Sequence, residues 1–144
     1  MVLTEEMKQY AKQLGVEEYI DFLGFCTNMP DVLRMSDVLI SASIEEGFGI
    51  NIIEGMASGL PAVVSLVRGH KEMVVNGQNG YLVDVSNVSA FCEKIEFLYH
   101  HKEQYQEMAE QAIVTAEKFS IENSLKQMEQ IYRQYIKAEV VEGV

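Results

Sequence analysis

Asp37 to Leu66 reads DVLISASIEEGFGINIIEGMASGLPAVVSL. The run 37–42 is apolar enough for a strand buried on both faces. A loop with two acids and two glycines follows at 43–49. A helix is expected from about Gly49 to Ser58, with Gly59 as its stop. Pro61 to Leu66 is a second strand, opened by a proline where strands tolerate one. Strand, loop, helix and strand in this order mean a parallel sheet with helices packed on it.

The same alternation extends in both directions. Upstream, Thr4, Glu5 and Glu6 start a helix that Gly15 ends. Tyr19 to Leu23 is read as a short strand closed by Gly24, and 30–35 as one or two helical turns. Downstream, 68–75 is a short helix and Asn76 to Gly80 (NGQNG) a turn. Tyr81 to Val85 is a fourth strand. Three apolar stripes at helical spacing follow: Val88, Phe91, Ile95 and Leu98; Tyr105, Met108, Ala112 and Ala116; and Ile121, Leu125, Met128, Ile131, Tyr132 and Tyr135. The expected fold is α/β, a partial Rossmann-like parallel sheet of about four strands with C-terminal helices. The domain is expected over 1–137, with a frayed tail at 138–144.

The bulk properties narrow the function. A chain of 144 residues suffices for one core. Its formal net charge of −11 argues against a nucleic-acid-binding surface. No apolar run is long enough to span a membrane, and no signal peptide is visible. Cys26 and Cys92 lie in no metal-ligand spacing and read as free thiols in a reducing cytoplasm. An acidic protein can still bind a small anion at a helix N-terminus, through free N–H groups and the helix dipole.

The junction Ser41 to Gly59 meets that condition. Parallel sheets place ligands at the carboxyl ends of strands, beside a helix start. Gly47 and Gly49 remove Cβ atoms from the turn, so that backbone N–H groups can approach a diphosphate. Glu54 lies about five residues into the helix, roughly 7–8 Å along its axis. A carboxylate there suits a ribose diol. Glu46, before the helix, would face the sugar, so the two acids would bracket one nucleotide sugar in a single crevice. The plainer alternatives are that Glu45 and Glu46 are dipole partners and that Glu54 is a solvated side chain. Against the second, Ile50, Ile52, Ile53, Met56 and Ala57 make this helix apolar nearly all round, where a carboxylate needs a partner or a wet cleft.

The stretch Glu46-Gly47-Phe48-Gly49, four residues, Glu54, then Ala57-Ser58-Gly59-Leu60-Pro61 resembles the signature of the family-4 retaining glycosyltransferases of the GT-B fold. Leu23-Gly24, Met35-Ser36-Asp37-Val38, Gly69 with Glu72, Asn76-Gly77 with Asn79-Gly80-Tyr81-Leu82-Val83, Phe119-Ser120 and Ile131-Tyr132 are similar to further marks of that family, in the same order. The resemblance implies that Glu54 binds the ribose hydroxyls and that Glu46, the catalytic candidate, contacts the transferred sugar, with the proton handled by Glu46 or by the donor phosphate. Backbone N–H groups near Gly47, Phe48, Gly49 and Ile50 would hold the sugar and the diphosphate. Phe25 to Thr27 would border the base. It implies no metal and no cofactor beyond the nucleotide-sugar donor.

The chain departs from the family pattern at Gly55, usually alanine, at Ile121, often tryptophan, and at Arg68-Gly69-His70, commonly Gly-Gly-x. The last form looks like the branch that builds bacterial capsules and exopolysaccharides, which implies a UDP-sugar donor. Arg68 or Lys71 is a candidate phosphate or sugar contact, or plain surface charge. His70 is expected to be structural or exposed.

The family's donor domain has strand order 3-2-1-4-5-6, and the resemblance begins before its third strand. Strands 1 and 2 and the acceptor-binding half are therefore expected to be absent, leaving the 19–23 strand without its neighbour. It would slide onto 37–42, or two chains would pair through the exposed edge as a homodimer, or the N-terminal segment would be loosely held. Partners are thus the nucleotide sugar and the missing N-terminal acceptor domain or a partner chain. The fragment itself is expected to be inactive, since transfer needs an acceptor held at the anomeric carbon. Two other readings are a non-catalytic nucleotide-sugar-binding subunit of a split transferase and a nucleotide-binding regulatory domain without sugar chemistry.

Overall fold

A computed structural model describes the backbone of residues 2–142 and the side chains of residues 4–136. Its elements are α1 (Val2–Gln13), α2 (Met29–Arg34), β1 (Leu39–Ser41), α3 (Ile50–Ala57), β2 (Ala62–Ser65), α4 (Arg68–Lys71), β3 (Gly80–Val83), α5 (Val88–His100), α6 (Lys102–Glu117) and α7 (Ile121–Glu142). The strands form one parallel sheet in the order β1-β2-β3, with Leu39 opposite Ala62 and Ala62 opposite Gly80.

β2 is buried along its whole length, and its side chains alternate between two cores as strand geometry requires. Ala62 and Val64 join Ile52 and Met56 of α3, Met73, Val74, and Ala112 and Ala116 of α6. Val63 faces the other way, with Val83, Phe91 and Leu98 of α5 and Met108. Helices thus cover both faces of the central strand, and both cores are closed by the stripes read at 88–98 and 105–116, except that Val88 is exposed. Gly55 of α3 lets the two layers meet: a Cβ there would lie 2.6 Å from Leu39 Cδ2.

One of the four expected strands is a correction. Residues 19–23 are not a strand: a 3-10 turn at Glu17–Tyr19 gives way to irregular chain. Ile20, Phe22 and Leu23 are 40–60% exposed. A strand is held by its neighbours, and an isolated one neither pairs its N–H and C=O groups nor recovers the entropy of being extended. The segment does not pair with β1, so the sliding outcome is also overturned. β1 is shorter than expected and is the sheet edge. Ile40, expected to be buried, is 52% exposed on this edge strand.

Smaller differences have local causes. α4 ends at Lys71 rather than at 75, and Met73 and Val74 close a further turn on the His70 carbonyl. α7 runs to Glu142, past the domain boundary expected at 137; residues 143 and 144 of the expected tail lie outside the described ones. Its stripe, from Ile121 to Tyr135, is exposed.

The turn at 76–80 is more than a reversal. Asn79 is buried, and its side chain accepts from Val75 N–H at 2.8 Å and donates to the Met73 carbonyl at 3.0 Å and Thr115 Oγ1 at 2.9 Å. It pins the approach to β3 against α6. Asn79→Ala is expected to lower stability by about 3 kcal/mol, roughly 1 kcal/mol for each bond lost. Urea unfolding measures this, and an unchanged midpoint would show that the pin contributes nothing.

Candidate functional site

The carboxyl edge of the sheet is where β1 ends at Ser41 and β2 ends at Ser65. Between them the chain runs through the glycine loop into α3. Gly49 caps that helix with φ +62° and ψ 53°. This left-handed conformation is open to glycine at little steric cost. It is also buried, and a Cβ would press on Ile52 and on Met73 Cε, both at 3.2 Å. The cap leaves the N–H groups of Ile50 and Asn51 without an acceptor among the described residues, as the first turn of a helix does. Ile50 itself is 63% exposed, so this end of α3 faces solvent.

Glu46 sits directly before this cap. Its Oε1 accepts the Gly49 N–H at 3.2 Å, and its backbone carbonyl accepts the Gly69 N–H at 3.1 Å. The carboxylate thus does what the plainer reading assigned it, serving as a dipole partner. It also lines an open cleft of about 360 Å³ with Ile44, Glu45, Gly47, Val67 and Arg68. The structure therefore brings Glu46, Gly47 and Arg68 together. The Arg68 side chain is 92% exposed, with Nε 3.8 Å from Glu72 Oε1. An exposed pair of this kind holds its partners weakly, so the guanidinium is free to turn toward an anion in the cleft.

Glu54 is exposed and makes no side-chain hydrogen bond among the described residues. It lies in a different cleft, of about 400 Å³, between α3 and the C-terminal end of α6, with Ile53, Ala57, Ile113, Ala116, Glu117, Phe119 and Ser120. The expected single crevice is thus two clefts, one at the loop that enters α3 and one along the later part of that helix. Phe48 lies between their walls, its ring edge-on to Phe119 at 5.8 Å. Phe25 is 94% exposed and lines neither cleft.

The sequence reading missed the order behind the loop. His70 is fully buried, with Nδ1 2.8 Å from the Ser65 carbonyl and 3.2 Å from Ser65 Oγ. Ser65 Oγ donates in turn to the Ser43 carbonyl at 2.6 Å. Of the two expectations for His70, structural or exposed, its burial is the structural one, and its chain neighbours Arg68, Lys71 and Glu72 are exposed and gave no signal of it. Among the described residues no three His, Cys, Asp or Glu side chains gather as a metal site would require, and no helix is long and apolar enough to cross a membrane.

Residues 3–115 match the family described as glycosyl transferases group 1. The chain is 36% identical over 126 residues to a putative glycosyltransferase, EpsD, of Bacillus subtilis (strain 168), a match covering 88% of this chain and 33% of that protein. Among solved structures, the C-terminal domain of a glycosyl transferase group 1 family protein (LpcC) from Francisella tularensis superposes with a TM-score of 0.75 at 27% identity, covering 84% of this chain and 64% of that one. Anabaena Alr3699/HepE, solved in complex with UDP-glucose, gives 0.82 at 25% identity, covering 91% and 36%. The chain spans about a third of the length of the curated relatives it matches.

Proposed function

This chain belongs to the glycosyl transferases group 1 family, and on that premise we propose that it forms the donor-binding part of a retaining, family-4 type glycosyltransferase of the GT-B fold. The donor is a nucleotide sugar, of the UDP-sugar class. The acceptor is a glycan or glycolipid, in cell-surface polysaccharide synthesis on the cytoplasmic side. The observation that carries this reading is the α3 N-terminus, whose Ile50 and Asn51 N–H groups have no acceptor among the described residues, with the Glu46 cleft at its entering loop and the Glu54 cleft further along the helix.

In transfer, the bond between the anomeric carbon and the diphosphate oxygen breaks, a bond from an acceptor hydroxyl oxygen forms, and the hydroxyl proton passes to the leaving diphosphate. Negative charge grows on the leaving diphosphate. The free N–H groups of Ile50 and Asn51 and the α3 dipole stabilise it, and Arg68 turns in from its cleft wall. No metal is assigned a part. Glu46 exchanges the Gly49 N–H for a hydroxyl of the sugar. Glu54 accepts from the ribose diol in the second cleft, and Phe48 separates the two ends. Transfer further requires an acceptor hydroxyl held at the anomeric carbon.

The supports are the resemblance of the signature, the similarity to EpsD and the fold shared with a protein solved with UDP-glucose. Calorimetric titration with UDP, UDP-glucose, GDP and ADP tests the reading. Binding of the uridine ligands, tighter for the sugar-bearing one, is expected. Equal affinity for all four, or none, would overturn it.

A further inference from the structure

We propose that His70 is a positioning residue for the sugar end of the donor site: together with Ser65 and Gly69 it clamps the turn that carries Glu46. The inference rests on the donor-site reading above, and it begins from an oddity of burial. His70 has no exposed surface, and its Nε2 is the one buried side-chain nitrogen or oxygen among the described residues with no hydrogen-bond partner. An apolar side chain of similar size would fill this space without desolvating a ring nitrogen. What an apolar side chain could not supply is the other nitrogen.

The partners of Nδ1 assign its proton. The Ser65 carbonyl only accepts, so Nδ1 carries hydrogen and donates to it, with Ser65 Oγ as a second acceptor. Ser65 Oγ, receiving this bond, gives its own hydrogen to the Ser43 carbonyl. The bonds run in one direction from ring to hydroxyl to backbone, an order in which each strengthens the next. They tie α4 to the start of the loop. Its other end is tied by the neighbouring residue, since the Gly69 N–H donates to the Glu46 carbonyl at 3.1 Å. The turn from Ser43 to Glu46 is therefore held at both ends by the β2–α4 connection. Glu46 is aimed by residues that do not themselves reach the cleft.

The test uses this chain with UDP and UDP-glucose as probes. His70→Met keeps the bulk and removes the donor. His70→Asn puts an amide nitrogen where Nδ1 stands. Ser65→Ala removes the middle link. If the clamp aims Glu46, His70→Met and Ser65→Ala bind UDP as the wild type does but lose affinity for UDP-glucose on the order of tenfold, the worth of one net hydrogen bond. His70→Asn recovers it. A general loss of structure would lower both affinities together, and that result, or an equal deficit in His70→Asn, overturns the proposal. Amide hydrogen exchange at Gly49 and Gly69 in the ligand-free chain gives a second, independent readout. It should quicken in His70→Met relative to His70→Asn, and equal rates would overturn the clamp. Should the wild type bind neither probe, the donor-site reading fails, and the exchange result still decides the clamp.

Discussion

Glu54→Ala is expected to bind UDP about 100-fold more weakly than the wild type, with no loss of thermal stability. The carboxylate is proposed to accept two hydrogen bonds from the ribose diol. Bonds to a charged acceptor are worth about 1.5 kcal/mol each at the low end of their range, and about 3 kcal/mol corresponds to somewhat over a hundredfold in affinity. Stability is spared because Glu54 is exposed and makes no side-chain hydrogen bond among the described residues. Alanine is also the better helix former, so the melting temperature should hold or rise slightly. Calorimetry with UDP and a thermal melt measure the two quantities. An unchanged affinity would remove the ribose end of the site and leave Glu54 an ordinary solvated residue of α3.

Gly69→Ala should destabilise the chain by about 3 kcal/mol, as overpacking against rigid neighbours does. A Cβ at this position would lie 2.5 Å from the Glu46 carbonyl oxygen and 3.0 Å from the carbonyl carbons of Glu46 and Gly47. All three are backbone atoms, which cannot rotate away as the end of a side chain can. Relief requires the loop to lift from α4, and lifting breaks the bond from Gly69 N–H to Glu46. Urea unfolding should therefore show a lowered midpoint, and titration a loss of the preference for UDP-glucose over UDP. A wild-type midpoint would mean that the loop yields freely and that α4 does not hold it.

The parts legible along the chain share a property. The strand at 62–65, the helix stop at Gly59 and the stripes of α5 and α6 meet a layer that this chain itself provides, so the local pattern and the final packing agree. Tyr19 to Leu23 has the same apolar, strand-like composition as β2, yet it is irregular, because no strand lies beside it. The α7 stripe is as regular as that of α5 and stays exposed for the same reason. Apolar periodicity states which face seeks cover and is silent on whether cover exists.

The candidate site divides along a similar line. Spacing alone placed Gly49 at a helix start and Glu46 and Glu54 on either side of it, because glycine's access to positive φ and the rise of a helix are properties of neighbouring residues. Packing decided that the two acids look into separate clefts, that Arg68 shares the one with Glu46, and that His70 and Asn79 are buried. Ser65 finds its acceptor 22 residues away, and Asn79 reaches Thr115 across 36. A hydrogen bond over that distance depends on which layers of the fold come to face one another. Many arrangements of the same helices and strands satisfy the local preferences, and the packing of whole faces selects among them.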